Sequence, residues 1–125
     1  MAQTPIQSYR DLVVWQEAMN LAEACYRLSL LLPREEQYGL SSQIRRSSGS
    51  VAANIAEGYG RDSLGSYVHH LKIAQGSLKE LETHLLLGAR VTLLKQDSVS
   101  ALLESSDGIG KMLRGLIRSL EKTPR

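Results

Sequence analysis

The side chains best suited to chemistry in this chain are Gln43, Ser47, Ser50, Asn54, Glu57 and Arg61. On a helix turning about 100° per residue, these six share one narrow strip. A carboxylate, an amide, hydroxyls and a guanidinium side by side are parts of an acid–base site. Joined by Arg46 and a histidine such as His70 from another subunit, they would suit a hydrolase or nuclease centred on Asn54 and Glu57. No nucleophile in the strip stands beside a base, however. Gln43, Asn54, Glu57 and Arg61 therefore read better as a hydrogen-bonded network that sets the register of packed helices. The strip lies next to the apolar one, Leu40, Ile44, Val51, Ile55 and Gly58, rather than opposite it. A third sector, Gly49, Ala52, Ala53 and Ala56, is small enough for another backbone to come close. This helix is expected to be covered on most sides.

Other chemistries lack their motifs. Di-iron bundles need Glu-x-x-His on two helices, and no Glu here has a His three positions on. Glu80 and His84, one turn apart, read as a surface pair, and consecutive His69 and His70 diverge too far to chelate one ion. Arg61 and His69 stand too far apart for the Arg–His pair of helical ribonucleases. The single cysteine, Cys25, reads as a small buried apolar residue. No catalytic residue, cofactor or metal is expected. Arg45 and Arg46, with Lys111, Arg114, Arg118 and Lys122, are the candidate contacts to nucleic acid. Glu104 and Asp107 precede the last four on the same face, an order that the helix dipole favours by itself.

The elements that must position these residues follow from composition and period. A chain of 125 residues, with 42% hydrophobic and 22% charged residues, has the makings of one folded domain. With no Phe, one Trp and three Pro, helix is favoured over sheet. The net charge of +2 excludes a strongly basic polymer binder but permits an anionic partner. No stretch has signal-peptide or membrane-spanning character, so the expected location is the cytoplasm, away from the membrane.

Four helices are expected, about 8–32, 39–59, 63–94 and 98–121, within a domain spanning 8–122, with flexible tails at 1–7 and 123–125. Ser8 and Asp11 have capping-box spacing for the first helix. Gly58 and Gly60 are expected to supply left-handed residues at the end of the second, Asp62 or Ser63 to cap the third and Asp97 the fourth. The third and fourth helices carry heptad-like seams, Leu64 to Gly88 and Val99 to Leu120. Short connections then predict an all-α, antiparallel up-down-up-down four-helix bundle. The first helix has two adjoining apolar stripes covering roughly 200° of its circumference, more than a monomeric bundle needs. Self-association is expected, with Trp15, Val14, Ala18 and Leu21 as interface candidates.

Several segments together carry a resemblance. Leu12-Val13-Val14-Trp15-Gln16-Glu17-Ala18, Tyr38-Gly39-Leu40, Gln43-Ile44-Arg45-Arg46, Asn54-Ile55-Ala56-Glu57-Gly58 and Gly76-Ser77-Leu78-Lys79-Glu80-Leu81-Glu82 resemble the four-helix bundle proteins known as 23S ribosomal RNA intervening-sequence proteins. The match is dense over residues 9–94. The resemblance implies a bundle assembled as a homopentameric ring and no established enzyme activity. A related branch, the accessory variability determinants of diversity-generating retroelements, engages nucleic acid through a basic pentamer. The resulting expectation is a non-enzymatic oligomeric scaffold for RNA, DNA or a nucleoprotein. Its alternatives are the inter-subunit hydrolase and an adaptor that binds a protein partner.

Overall fold

The computed structural model describes residues 5–122. Residues 1–4 of the expected N-terminal tail and all of the 123–125 tail lie outside them. Four helices carry the fold: α1 Val13–Ser29, α2 Leu40–Tyr59, α3 Leu64–Arg90 and α4 Gln96–Glu121, with short 3-10 turns at Tyr9–Asp11 and Arg34–Glu36. The described residues contain no strand.

The capping box at Ser8 forms, but it opens the 3-10 turn rather than α1. Ser8 Oγ accepts from the Arg10 amide at 3.1 Å, and Asp11 Oδ2 accepts from the Ser8 amide at 3.1 Å. Leu12 then turns extended, with ψ 124°, so α1 begins at Val13 instead of residue 8. At its far end the last turn tightens into i→i−3 bonds from Leu30 to Leu32 before Pro33 stops it. Helix α2 is capped from outside: Glu36 Oε1 accepts from the Leu40 amide at 3.1 Å.

No glycine among the described residues has a positive φ, so Gly58 and Gly60 do not end α2 in the expected way. Gly58 instead allows close packing, since a Cβ there would sit 2.8 Å from His70 Cβ on α3. Ser63 caps α3, accepting from the Ser66 amide at 3.1 Å. That helix ends at Arg90, short of residue 94. Thr92 takes φ 62°, and the chain folds back so that the Leu93 and Leu94 amides both bond Gly88 O. Leu93 and Leu94 still pack on the core, from a turn rather than a helix. Lys95 occupies the N-cap of α4 without a side-chain bond, and Asp97 sits in the first turn, where the dipole favours an acid.

Helix α2 packs on α1 and α3, and α4 on α3 and α1, whereas neither the α1–α3 nor the α2–α4 pair makes backbone contact. The core thus lies between four neighbours in a square. Ala18, Leu21 and Cys25 from α1, Ile44, Val51 and Ile55 from α2, Leu71, Leu78, Leu81 and Leu85 from α3, and Val99, Ile109 and Leu113 from α4 fill it, each at most 3% exposed. Fully burying one such leucine contributes about 1.5–3 kcal/mol.

This packing corrects the interface expected on α1. Val14, Ala18 and Leu21 are buried in the chain's own core and offer no surface to a second subunit. The second stripe is the open one: Trp15 and Ala22 are half-buried, and Met19, Tyr26 and Leu30 are exposed. Nor is α2 covered on most sides. Ala52 is buried, but Gly49 and Ala53 face outward.

Candidate functional site

Two features collect the polar side chains singled out above, the seam between α2 and α3 and the outer face of α4. In the seam, one α2 strip meets α3 with small polar groups. Asn54 Nδ2 donates back to Ser50 O at 2.9 Å and to Ser50 Oγ at 3.0 Å. Ser50 Oγ pairs with Ser77 Oγ at 2.9 Å, and Asn54 Oδ1 lies 3.3 Å from His70 Nδ1. A chain Ser77–Ser50–Asn54–His70 therefore ties the two helices in register. Ser47, 0% exposed, returns its hydroxyl to Gln43 O at 2.7 Å, as a serine buried in a helix does.

The rest of the expected strip divides away from Asn54. Glu57 is exposed and pairs with Arg61 at 2.5 Å, one turn along the same helix. Gln43 Oε1 accepts from Arg46 Nη2 at 2.8 Å, and Arg46 also reaches Glu80 across the seam. Glu80 in turn lies 3.9 Å from His84 Nε2. The four residues proposed as one network thus form three separate groups. Of the residues proposed for a hydrolytic centre, only Asn54 and His70 meet. Among the described residues, no hydroxyl or thiol is hydrogen-bonded to a histidine. Nor does any described group of three His, Cys, Asp or Glu residues lie close enough to hold a metal.

The basic candidates also separate. Arg45 stacks 4.3 Å over the Tyr26 ring and donates to Ser29 Oγ at 2.7 Å, which places it in the α1–α2 contact. On α4, Lys111 pairs with Asp107 at 3.2 Å. Arg114, Arg118 and Lys122 are exposed and make no ion pair among the described residues. The C-terminal end of α4 is where the helix dipole holds cations best.

Burial pushes the Cys25 thiol up to about 12, opposed by a hydrogen bond with Ser48, so it remains a protonated, inert core group. Burial also raises Tyr67, helped by the neighbouring Tyr59. One pair escaped sequence reasoning: Ser106 Oγ, 0% exposed, donates to Glu82 Oε2 of α3 at 2.6 Å. The signal was a polar residue standing in the apolar seam of α4.

The profile of the 23S rRNA-intervening sequence protein family matches residues 10–115, which spans all of α1 to α3 and most of α4. The chain belongs to this family. A solved relative shares the fold: the crystal structure, at 1.70 Å, of a protein of unknown function from the S23 ribosomal protein family of Bacteroides thetaiotaomicron VPI-5482. It is 28% identical, with a TM-score of 0.79 over 89% of this chain and 100% of the relative. No curated protein matches. As in the sequence reading, no described helix is long and apolar enough to cross a membrane.

Proposed function

We infer that this member of the 23S rRNA-intervening sequence family is a non-enzymatic, self-associating scaffold of the cytoplasm that docks a phosphate-rich partner, structured RNA, through α4. The observation that carries this reading is the run of Arg114, Arg118 and Lys122, exposed on one helix end without ion-pair partners. Charges left unpaired there are free to replace the counterions of a nucleic-acid backbone. The family's own description ties it to ribosomal RNA. The satisfied Asn54 seam favours architecture over catalysis, since every buried side-chain nitrogen and oxygen among the described residues has a partner.

The frame is an up-down-up-down bundle. Arg46–Glu80, Ser50–Ser77 and Gly58–His70 pair ascending positions of α2 with descending ones of α3. Glu82–Ser106 and Lys72–Glu121 support the same sense for α3 and α4. Assembly as a homopentameric ring would cover the outer stripe of α1 and repeat the α4 charges around the particle.

The test is a binding titration with a structured RNA at several salt concentrations. Binding should weaken steeply with salt. Replacing Arg114, Arg118 and Lys122 by Gln should lower the slope of log K against log salt by about two to three. Absence of binding at low salt, or an unchanged slope in the triple variant, would remove the reading.

A further inference from the structure

We propose that the cleft between α3 and α4 is a binding site for one guanine nucleotide unit, base inward on Glu82 and phosphate outward on Arg114. The cleft measures about 310 Å³, at the lower end of ligand pockets, which suits one nucleotide rather than a larger cofactor. It exists because two facing positions lack side chains. A Cβ at Gly76 would meet nothing within 4 Å, and one at Gly110 would reach only Arg114 Nη1 at 3.7 Å and Leu78 Cδ1 at 3.9 Å. The floor is Leu78 and Ser106, both at most 2% exposed.

The chemistry runs from inside to outside. Glu82 is the inner charge, its side chain only 19% exposed, and Ser106 locks its orientation by donating to Oε2 at 2.6 Å. Lys79, 72% exposed at the rim, reaches Oε1 at 3.2 Å. Each carboxylate oxygen has two acceptor positions, so each keeps one open for a ligand. Two parallel donors are needed to fill them. Guanine offers them on adjacent atoms, N1–H and the N2 amine, whereas adenine and cytosine place a lone pair beside a single amine and uracil flanks one N–H with carbonyls. Across the rim, Arg114 is exposed and free of ion pairs among the described residues, and Asp107 is already occupied by Lys111. A phosphate leaving the base outward therefore meets cations. The outer half rests on the phosphate-binding reading of α4; the inner half stands on Glu82 alone.

The same chemistry comes from a free nucleotide or from an unpaired guanosine in RNA, and one set of titrations on the full chain separates them. GMP should bind more tightly than AMP by roughly tenfold or more, as a bidentate base contact discriminates. Glu82→Gln should erase that preference. Gly110→Leu should abolish GMP binding by filling the cleft, without lowering Tm, because leucine favours helix over glycine. Equal affinity for GMP and AMP, or undiminished GMP binding in Gly110→Leu, overturns the site. A short guanosine-bearing RNA that loses affinity in Gly110→Leu identifies RNA as the source. The same RNA bound equally by both proteins, with no guanosine preference, overturns the cleft and leaves the α4 reading standing. GMP bound as expected, with no RNA bound by either protein, removes structured RNA as the partner of α4 and leaves the free nucleotide as ligand.

Discussion

Glycines show most clearly how one residue type takes its meaning from its surroundings. At Gly58 a Cβ would lie 2.8 Å from His70 Cβ and 3.1 Å from Tyr67 O, so Gly58→Ala must push α2 and α3 apart. It should cost about 1–3 kcal/mol in chemical denaturation, outweighing alanine's helix preference. Gly108 meets nothing within 4 Å, and there Gly108→Ala should stabilise the isolated chain by up to about 1 kcal/mol. Stabilisation at position 58, or a loss at position 108, would contradict the packing described. Cys25 supplies a residue-scale prediction of pH dependence. Its thiol is raised from 9.0 to about 12, so the folded state holds a proton that the unfolded chain releases earlier. The stabilisation is full below pH 9 and declines as pH rises from there towards 12. Denaturation midpoints measured at pH 8 and pH 10.5 should differ less in Cys25→Ala than in the wild type.

Helices α2 and α3 meet through small side chains, which decides what their polar residues do. Asn54 was legible in the sequence because it falls on the same helical strip as Ser50, whereas His70 was named there only for a site between subunits, not as its partner within the chain. Glu57 shares the strip by angle but is exposed and pairs with Arg61 on its own helix, while its neighbour Gly58 is the residue that meets His70 of α3. Asn54→Ala should therefore cost about 1 kcal/mol by breaking the tie to Ser50 and His70. Glu57→Ala removes only an exposed i,i+4 pair and should change stability by about 0.5 kcal/mol or less. Equal costs for the two variants would mean that the strip acts as one network after all. The seam of α3 was read correctly, since six of its eight residues, Leu71 to Gly88, are buried. Its end was misread, because Thr92 reverses the chain and Leu93 and Leu94 reach the core from a turn.

For the whole molecule, the feature left open is the outer stripe of α1, where Met19, Tyr26 and Leu30 are 44%, 52% and 62% exposed. If assembly covers this stripe, Met19→Lys with Leu30→Lys should convert the particle to folded monomers in light scattering. An unchanged mass would mean either that the contact lies elsewhere, if that mass is an oligomer's, or that the chain does not self-associate, if it is a monomer's. Leu21→Ala acts on a different quantity, since Leu21 is core, and should cost about 2–5 kcal/mol of folding stability.

Sequence alone determined the helix count, the core seams and the family, because apolar period and turn chemistry are local properties written in consecutive residues. Which of two apolar stripes on α1 faces inward could not be read locally, as both satisfy the helical period equally. Packing against α2 decided it, with Ser29 and Arg45 tying the two helices together. The cleft of α3 and α4 likewise depends on Gly76 and Gly110 coming from distant turns to face one space, with Glu82 fixed there by Ser106. Such a juxtaposition has no signature in either segment, because it arises only when two helices settle their relative register.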